Sequence, residues 1–521
     1  MTTCGASLIC VALLVLLGSA VGPVIGYRIL GINTSPSRSH VIVQDALMKE
    51  LARRGHHVTM VSPYKESEQV PNYRKITLPH VIGTWGKDFT ASTLSNSNTR
   101  FGMIKSIPML LQLSASSINE TVRSAEVQDV LREPEGYDVL ITGLMTDAVL
   151  GAATDLGCPT IVICPNAPMA MVNSMVGNPT PISLIPNMLL GLPSPMSFRQ
   201  RVVNVFGWFG EEAMALAWKS YQRAAYDDLF PADRYPTYDS VRRNVSLVLL
   251  NHHVSKGSPR PYVPAMIEVG GLQIKDKASP LPDDVRQFID GAEHGVILFS
   301  LGTNLLSSSM PAEKLDAILG TFRTLRQRVI WKWDSQDMPH KPDNVMLREW
   351  LPQDDILAHP NVRLFIMHGG LGGIAEALFH GVPLVGIPMF GDQPGNLEKV
   401  AQEGWVRVVQ YGELTEQTLS AAVREVLDNG QYRQNVRRLS QLYRDRPQTA
   451  MDTAVYWTEY VIRHRGAPHL RYPGVDMNFW QRSSLDVIAF LAVAVYAFCK
   501  LISLVCRMCC RGSSKSKLKK H

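Results

Sequence analysis

Between His368 and Glu376 the chain carries four glycines, Gly369, Gly370, Gly372 and Gly373, directly after the apolar run RLFIM. Glycine inside a regular element costs about 0.5–1 kcal/mol relative to alanine. The spacing therefore implies a strand ending at His368, a turn that needs room, and a helix starting near Gly372 or Gly373. The N–H groups of a helix's first turn lack intrahelical partners and carry partial positive charge. With no side chains in the way, a phosphate can approach that backbone closely. His368 can donate to a phosphate oxygen. Glu376, one turn further, can accept from ribose hydroxyls, as acidic residues do at nucleotide sites. A diphosphate can be held in this way without a metal, and no metal-ligand spacing appears in the sequence.

The surrounding elements would position these groups. YRILGIN reads as a strand, TSPSRSH as a loop, and VIVQDALMKELARRGHHVTMVS as helix, turn at Gly55, and strand. YDVLITG leads into a second helix and the strand PTIVIC. After a stretch rich in Pro, Met and aromatics, from about Ala167 to Tyr238, the alternation resumes with HGVILFSLGT and ends in the glycine segment and VPLVGIP. Parallel strands need such crossovers. Two doubly wound halves would leave a cleft at the carboxyl ends of their strands, where ligands of open α/β sheets bind. The Met-rich stretch suits a pliable apolar pocket.

The 521 residues also contain two long apolar segments. LICVALLVLLGSAVGPVIG, Leu8 to Gly26, reads as a cleaved secretory signal, although its n-region lacks a basic residue. Val487 to Cys506 is long enough to cross a hydrocarbon core, with Lys500 near one end, where its ammonium can snorkel. Lys500, Arg507, Arg511, Lys515, Lys517, Lys519 and Lys520 lie in or beyond that segment with no acid among them. The whole chain carries +6, so its body is nearly neutral and its basicity argues nothing for nucleic acid. It marks a cytosolic tail under the positive-inside rule, and the terminal KLKKH resembles a dilysine retrieval signal. The expected location is the endoplasmic reticulum membrane, single-pass type I, with the body lumenal. Only Cys158 and Cys164 fall in the body, which is no disulfide framework. Cys499, Cys506, Cys509 and Cys510 can be acylated. Asn119 and Asn244 head glycosylation sequons, and a third at Asn33 is followed directly by Pro36.

From WLPQ through HGGLGG to DQPGN, with SRSH, FSLGT and RHRGAPHLR outside that stretch, the chain resembles the UDP-glycosyltransferase family, the membrane-bound glucosyl- and glucuronosyltransferases, and within it an insect-like branch. The likeness covers nearly the whole sequence. It implies a GT-B fold: two Rossmann-like, doubly wound α/β domains with parallel sheets facing a cleft, plus the C-terminal transmembrane helix. The expected divisions are residues 1–26 signal peptide, 27–256 acceptor domain, 257–290 linker, 291–445 UDP-sugar domain, 446–483 helices packing back toward the first domain, 484–506 membrane span and 507–521 basic tail.

By the family pattern Trp350 stacks on uracil, Gln353 reads the nucleoside, Ser300 and Thr303 reach the diphosphate with His368, Gly370, Gly372 and Gly373, and Asp392 and Gln393 bind sugar hydroxyls. His40 is the expected general base, since histidine titrates near working pH. The family orients that histidine with an acid that aligns with Gly143 here, so Asp147 is the expected substitute. Met367 and Gly372 or Gly373 depart similarly from polar family residues. The implied reaction is inverting, metal-independent transfer of a hexose, glucose before glucuronate, to a small lipophilic acceptor. It needs no cofactor, because the UDP-sugar is a co-substrate. The expected partners are donor, acceptor and membrane, with a homo-oligomer left open. The rival reading is a non-catalytic binder of UDP-sugar or lipophilic ligand, suggested by Gly143 and Gly372. A nicotinamide-dependent oxidoreductase is disfavoured because no GxGxxG follows the first strand.

Overall fold

The computed structural model describes residues 26–516 apart from 66–67, 84–101, 258, 336–337 and 339. The signal segment and the KLKKH motif therefore lie outside the described residues. The chain forms two compact units, residues 1–471 and 472–521.

The first unit holds two parallel sheets. In one, β1 (Arg28–Ile32), β2 (His57–Ser62), β3 (Tyr73–Thr77), β4 (Val139–Gly143), β5 (Thr160–Cys164), β6 (Leu247–Leu250) and β7 (Met266–Glu268) lie in the order β3-β2-β1-β4-β5-β6-β7. In the other, β8 (Val296–Ser300), β9 (Arg328–Lys332), β10 (Val345–Arg348), β11 (Val362–Met367), β12 (Leu384–Gly386) and β13 (Val406–Val408) lie in the order β10-β9-β8-β11-β12-β13. Strands β4, β5 and β8 are buried at every residue, as expected where helices cover both faces of a parallel sheet. Strand order reverses between β1 and β4 and between β8 and β11. These switch points are where open α/β sheets place ligands. Register there brings Met367 opposite Ser300, so the residues that follow both strands emerge side by side.

Helices α1 (Arg38–Arg53), α2 (Gly102–Arg123), α3 (Ala125–Leu131), α4 (Ala152–Leu156), α5 (Ala170–Val176), α6 (Phe198–Leu229) and α7 (Tyr238–Arg243) belong to the first half. The second half has α8 (Asp283–Asp290), α9 (Ala312–Arg323), α10 (Gln353–Leu357), α11 (Leu371–His380), α12 (Gln393–Ala401), α13 (Glu416–Asp428) and α14 (Gly430–Arg444). Its core is anchored by Phe299, Phe322 and Trp331, whose ring centroids lie 4.7–5.6 Å apart. Helix α15 (Ala450–Arg463) then returns to the first sheet, where Ala454, Val455 and Val461 share a core with Ile29 and Val58.

Two boundaries differ from the sequence expectation. The segment 257–290 is more than a linker: β7 completes the first sheet, and α8 packs Val285 and Ile289 into the core of the second half. Residues 472–483 fall in the second unit. That unit holds α16 (Phe479–Arg482) and α17 (Leu485–Ser516), of which Leu485–Met508 is long and apolar enough to cross a membrane.

Candidate active site

Two glycines, Gly370 and Gly302, crowd one histidine ring in the second half. Gly369 has φ +94°, which turns the chain out of β11. A Cβ on Gly370 would lie 2.6 Å from His368 Nε2, and one on Gly302, which has φ +90°, would lie 2.7 Å from the same ring. These glycines seat the imidazole. Gly372 differs, since a Cβ there would meet only the end of Gln273, at 3.5 Å. The protein does not fill that space, so it is open to a ligand. Helix α11 begins one residue earlier than expected, at Leu371, and its N-cap Gly370 supplies no side-chain cap. His368 Nδ1 is buried without a hydrogen-bond partner. Burial pushes His368 down to about 4, so at neutral pH the ring is uncharged and one nitrogen can donate. Ser300 Oγ accepts from the Gly302 N–H at 3.3 Å and shapes the same loop.

Glu376 accepts from Gln353, so two expected nucleoside contacts meet each other. Burial raises Glu376 to about 7, helped by the nearby Asp354 charge. Trp350 is 47 % exposed, and the Arg38 guanidinium carbon lies 3.7 Å from its ring centroid. One face of the expected uracil platform is thus occupied by a cation from the first half, a stacking worth about 0.5–2 kcal/mol. Ser37, one residue before, bonds Asn304 of the second half at 3.1–3.2 Å.

His40 sits in the first turn of α1 rather than in a loop before it, because the helix already starts at Arg38, with Ser37 at its N-cap position. Its Nδ1 lies 3.4 Å from Ser35 Oγ. Ser35 Oγ also accepts from the Ser37 N–H at 3.2 Å. Burial pushes His40 down to about 4, which keeps it neutral and able to take a proton.

Asp147 is not its orienting acid. Its carboxylate is buried and paired with Arg242 Nε at 2.7 Å, and it accepts from Tyr238 OH at 3.3 Å. The Arg242 guanidinium continues to Ser174 and the Met171 carbonyl. The space over Gly143 is filled instead by Asn33, whose Nδ2 a Cβ on Gly143 would meet at 2.6 Å. That amide is held by Gln44 at 2.9 Å. Asp147→Ala should strand a buried guanidinium and cost about 3–5 kcal/mol. The expected signature is a large drop in denaturation midpoint, with little change in turnover per folded molecule.

Among the residues expected to meet the sugar, Gln393 Oε1 accepts from the Met389 and Phe390 N–H groups at 2.9 and 3.1 Å. Asp392 Oδ2 accepts from Asn396 at 2.7 Å. Against this helix lies a loop from the Met- and Pro-rich stretch. A Cβ on Gly395 would lie 2.7 Å from the Met188 carbonyl oxygen, so only glycine lets the loop approach. Gln402 Nε2 donates to Gly191 O at 3.4 Å. On its other side α6 holds the loop through Asn204 and Glu211, both bonded to Asn187. Gly395→Ala should lift this loop off α12. The expected result is a several-fold rise in KM for the UDP-sugar while affinity for UDP alone is unchanged, read by steady-state kinetics and calorimetry.

One cavity of about 2100 Å³ is lined from one half by His40, Met145 and Leu189 and from the other by His368, Glu376 and Asp392. Ser300, Thr303, Trp350, Gln353, Gly370, Gly372, Gly373 and Gln393 line it too; Asp147 does not. Two lining residues escaped the sequence reading. Lys332, at the carboxyl end of β9, donates to Gly302 O at 2.8 Å, and burial lowers its pKa. Its place at a strand end was the available signal. Gln273 bonds Gly372 O at 3.4 Å and had no sequence signal. Of the three sequons, Asn33 is buried and Asn244 is exposed at the end of α7. Asn119 lies inside α2, with its amide engaged by Asp228 and Arg123.

Two parallel sheets with a cleft lined by residues of both halves are the architecture of the GT-B fold. Solved structures agree at the level of fold. The glycosyltransferase SnogD from Streptomyces nogalater matches with TM-score 0.54 and 17 % identity over 84 % of this chain and 99 % of its own. A glycotransferase of kitacinnamycin matches with TM-score 0.54 and 20 % identity over the same shares. The family model described as UDP-glucoronosyl and UDP-glucosyl transferase matches residues 29–520, and the chain belongs to that family. It is 37 % identical to UDP-glycosyltransferase UGT5 of Dactylopius coccus over 91 % of this chain and 90 % of that one. It is 34 % identical to UDP-glucosyltransferase 2 of the same organism (95 % and 96 %) and 31 % identical to UDP-glucuronosyltransferase 2A2 of Mus musculus (90 % and 91 %).

Proposed function

We propose that the chain transfers glucose from UDP-glucose to a hydroxyl of a small lipophilic acceptor, with inversion, and that His40 is the general base. The observation that carries this reading is the convergence on one cavity of a neutral, half-buried histidine from the first half and an uncapped helix N-terminus with an unpartnered His368 nitrogen from the second. His40 Nδ1–H donates to Ser35 Oγ, which leaves Nε2 to take the acceptor proton. The acceptor oxygen forms a bond to the anomeric carbon as the bond from that carbon to the β-phosphate oxygen breaks. The departing UDP is held by the first-turn N–H groups of α11, His368 and the Lys332 ammonium. These groups meet the diphosphate charge, so the scheme uses no metal. Leu189 and Met145 line the same cavity as His40 and suit an apolar acceptor. Glucose is favoured because a uronate calls for a further cation near Asp392, and the pattern around it supplies none. The site on the endoplasmic reticulum membrane, with the body lumenal, belongs to the same proposal.

Glu376 gives the donor a pH signature. Burial raises its carboxyl to about 7. A ribose hydroxyl bonds the ionised carboxylate more strongly than the neutral acid, so binding lowers that pKa and releases a proton. Affinity for UDP-glucose should be flat above pH 7 and fall below it by at most about tenfold per unit, and Glu376→Gln should flatten the profile.

The direct test is transfer by membranes expressing the chain, offered UDP-glucose or UDP-glucuronate with a panel of phenols. Glucosylation that disappears in His40→Ala supports the reading. UDP binding with neither transfer nor donor hydrolysis would overturn it and favour a non-catalytic binder.

A further inference from the structure

Helix α6 is apolar on the side that faces solvent. Eight of the twelve large apolar side chains that described residues 26–471 leave exposed fall between Leu184 and Tyr221. Phe198, Val202, Phe206, Phe209, Ala213 and Leu216 are all exposed. At 3.6 residues per turn they fall within about 80° of one another along roughly 27 Å of helix. Phe198 is 72 % exposed, Phe206 71 % and Leu216 64 %. The buried residues Asn204, Trp218 and Gln222 lie on the opposite side. A soluble helix reverses this arrangement. Exposed Arg199 and Arg201 flank the stripe at its start, where their stems can lie along apolar surface with the charges outside.

Something apolar must cover this face, and the chain itself indicates what. Residues 485–508 form a segment able to cross a bilayer, and only residues 472–484 separate it from the folded body. A tether of that length reaches at most about 45 Å even when extended, so the body stays beside the bilayer at high effective concentration. We infer that the exposed stripe of α6 lies in the lipid interface, with Phe198, Phe206, Phe209 and Leu216 among the acyl chains and the two arginines at the headgroups, as interfacial amphipathic helices do. The consequence is functional. The opposite face of the same helix holds the loop whose Leu189 and Leu190 line the catalytic cavity. An acceptor dissolved in the bilayer surface then lies about one helix diameter, roughly 10 Å, from the cavity wall.

The inference rests on reading 485–508 as a membrane span, and the test separates the two. The full chain is reconstituted in phosphatidylcholine vesicles carrying a phosphatidylcholine with a photoactivatable acyl chain, illuminated, and its adducts mapped by mass spectrometry. Adducts are expected on peptides covering 198–216 and 485–508, with none on the exposed face of α13. In a Phe206→Glu, Phe209→Glu variant the adducts on 198–216 should be lost while those on 485–508 persist. Adducts confined to 485–508 in the parent chain would overturn the inference and leave the span intact. Absence from both segments would overturn the span reading, and the inference with it. A parent that is dimeric in detergent, becomes monomeric on the double substitution and is never labelled on 198–216 would show that a second copy covers the stripe, which also overturns the inference.

Discussion

His40→Ala should lower kcat by about 10²–10⁴-fold, the range expected for loss of a positioned general base, with UDP affinity unchanged. The two readouts separate because the residue stands in the first half, while the groups expected to hold UDP stand in the second. Ser35→Ala should do much less. Its hydroxyl orients the ring through one long neutral hydrogen bond, worth about 0.5–1.5 kcal/mol, or roughly two- to tenfold in kcat. A carboxylate partner would stabilise the imidazolium formed during transfer, and a serine does so only weakly. The pH dependence of kcat follows the same logic. With His40 held near 4 by burial, the base is ready across the neutral range, and kcat should fall only as pH approaches 4. The decline below pH 7 should appear instead in kcat/KM for the donor, through Glu376. If His40→Ala keeps full activity, the base has been misassigned.

Gly372→Asp should abolish donor binding without harming the fold. The position is open, with nothing nearer than Gln273 at 3.5 Å, and its φ is not in the left-handed region. An aspartate at the second residue of α11 faces the positive end of the helix and should add about 0.3–1 kcal/mol to stability. The same carboxylate would stand within about 4–6 Å of a diphosphate. At an effective dielectric near 20 one unit charge pair at that distance costs about 3–4 kcal/mol, or of order 10²–10³-fold in affinity. Stability and binding therefore move in opposite directions, a pattern that simple misfolding cannot produce. Gly372→Ala, which adds volume without charge, should change binding far less.

Much of this site was legible because its signals are local. A strand buried at all but one residue, a glycine turn and a helix follow one another within twenty residues around His368, and the positions of Ser300 and Thr303 after a strand can be read in the same way. Asp147 was misread because sequence proximity to Gly143 says nothing about direction. Met145 takes a left-handed conformation, φ +71°, and the chain turns so that Asp147 meets Arg242, 95 residues away. Asn33 could not be foreseen over Gly143 either, since that contact joins the ends of two neighbouring strands. The start of α1 was misplaced although Ser37 is a good N-cap type. Strand β7 has three residues, too few to show a pattern. Helix α6 carries apolar residues on both faces, which erases the periodicity that would have marked its outer side.

The central claim is that the opening turn of α11 and His368 form an anion site for a uridine diphosphate group. Isothermal titration of UDP into the full chain in detergent, beside Gly372→Asp, tests it most directly. Saturable binding to the parent, weakening below pH 7 and lost in the variant while its melting temperature holds or rises, is the predicted result. No heat from UDP or any UDP-hexose with the folded parent, or undiminished binding in Gly372→Asp, would contradict it.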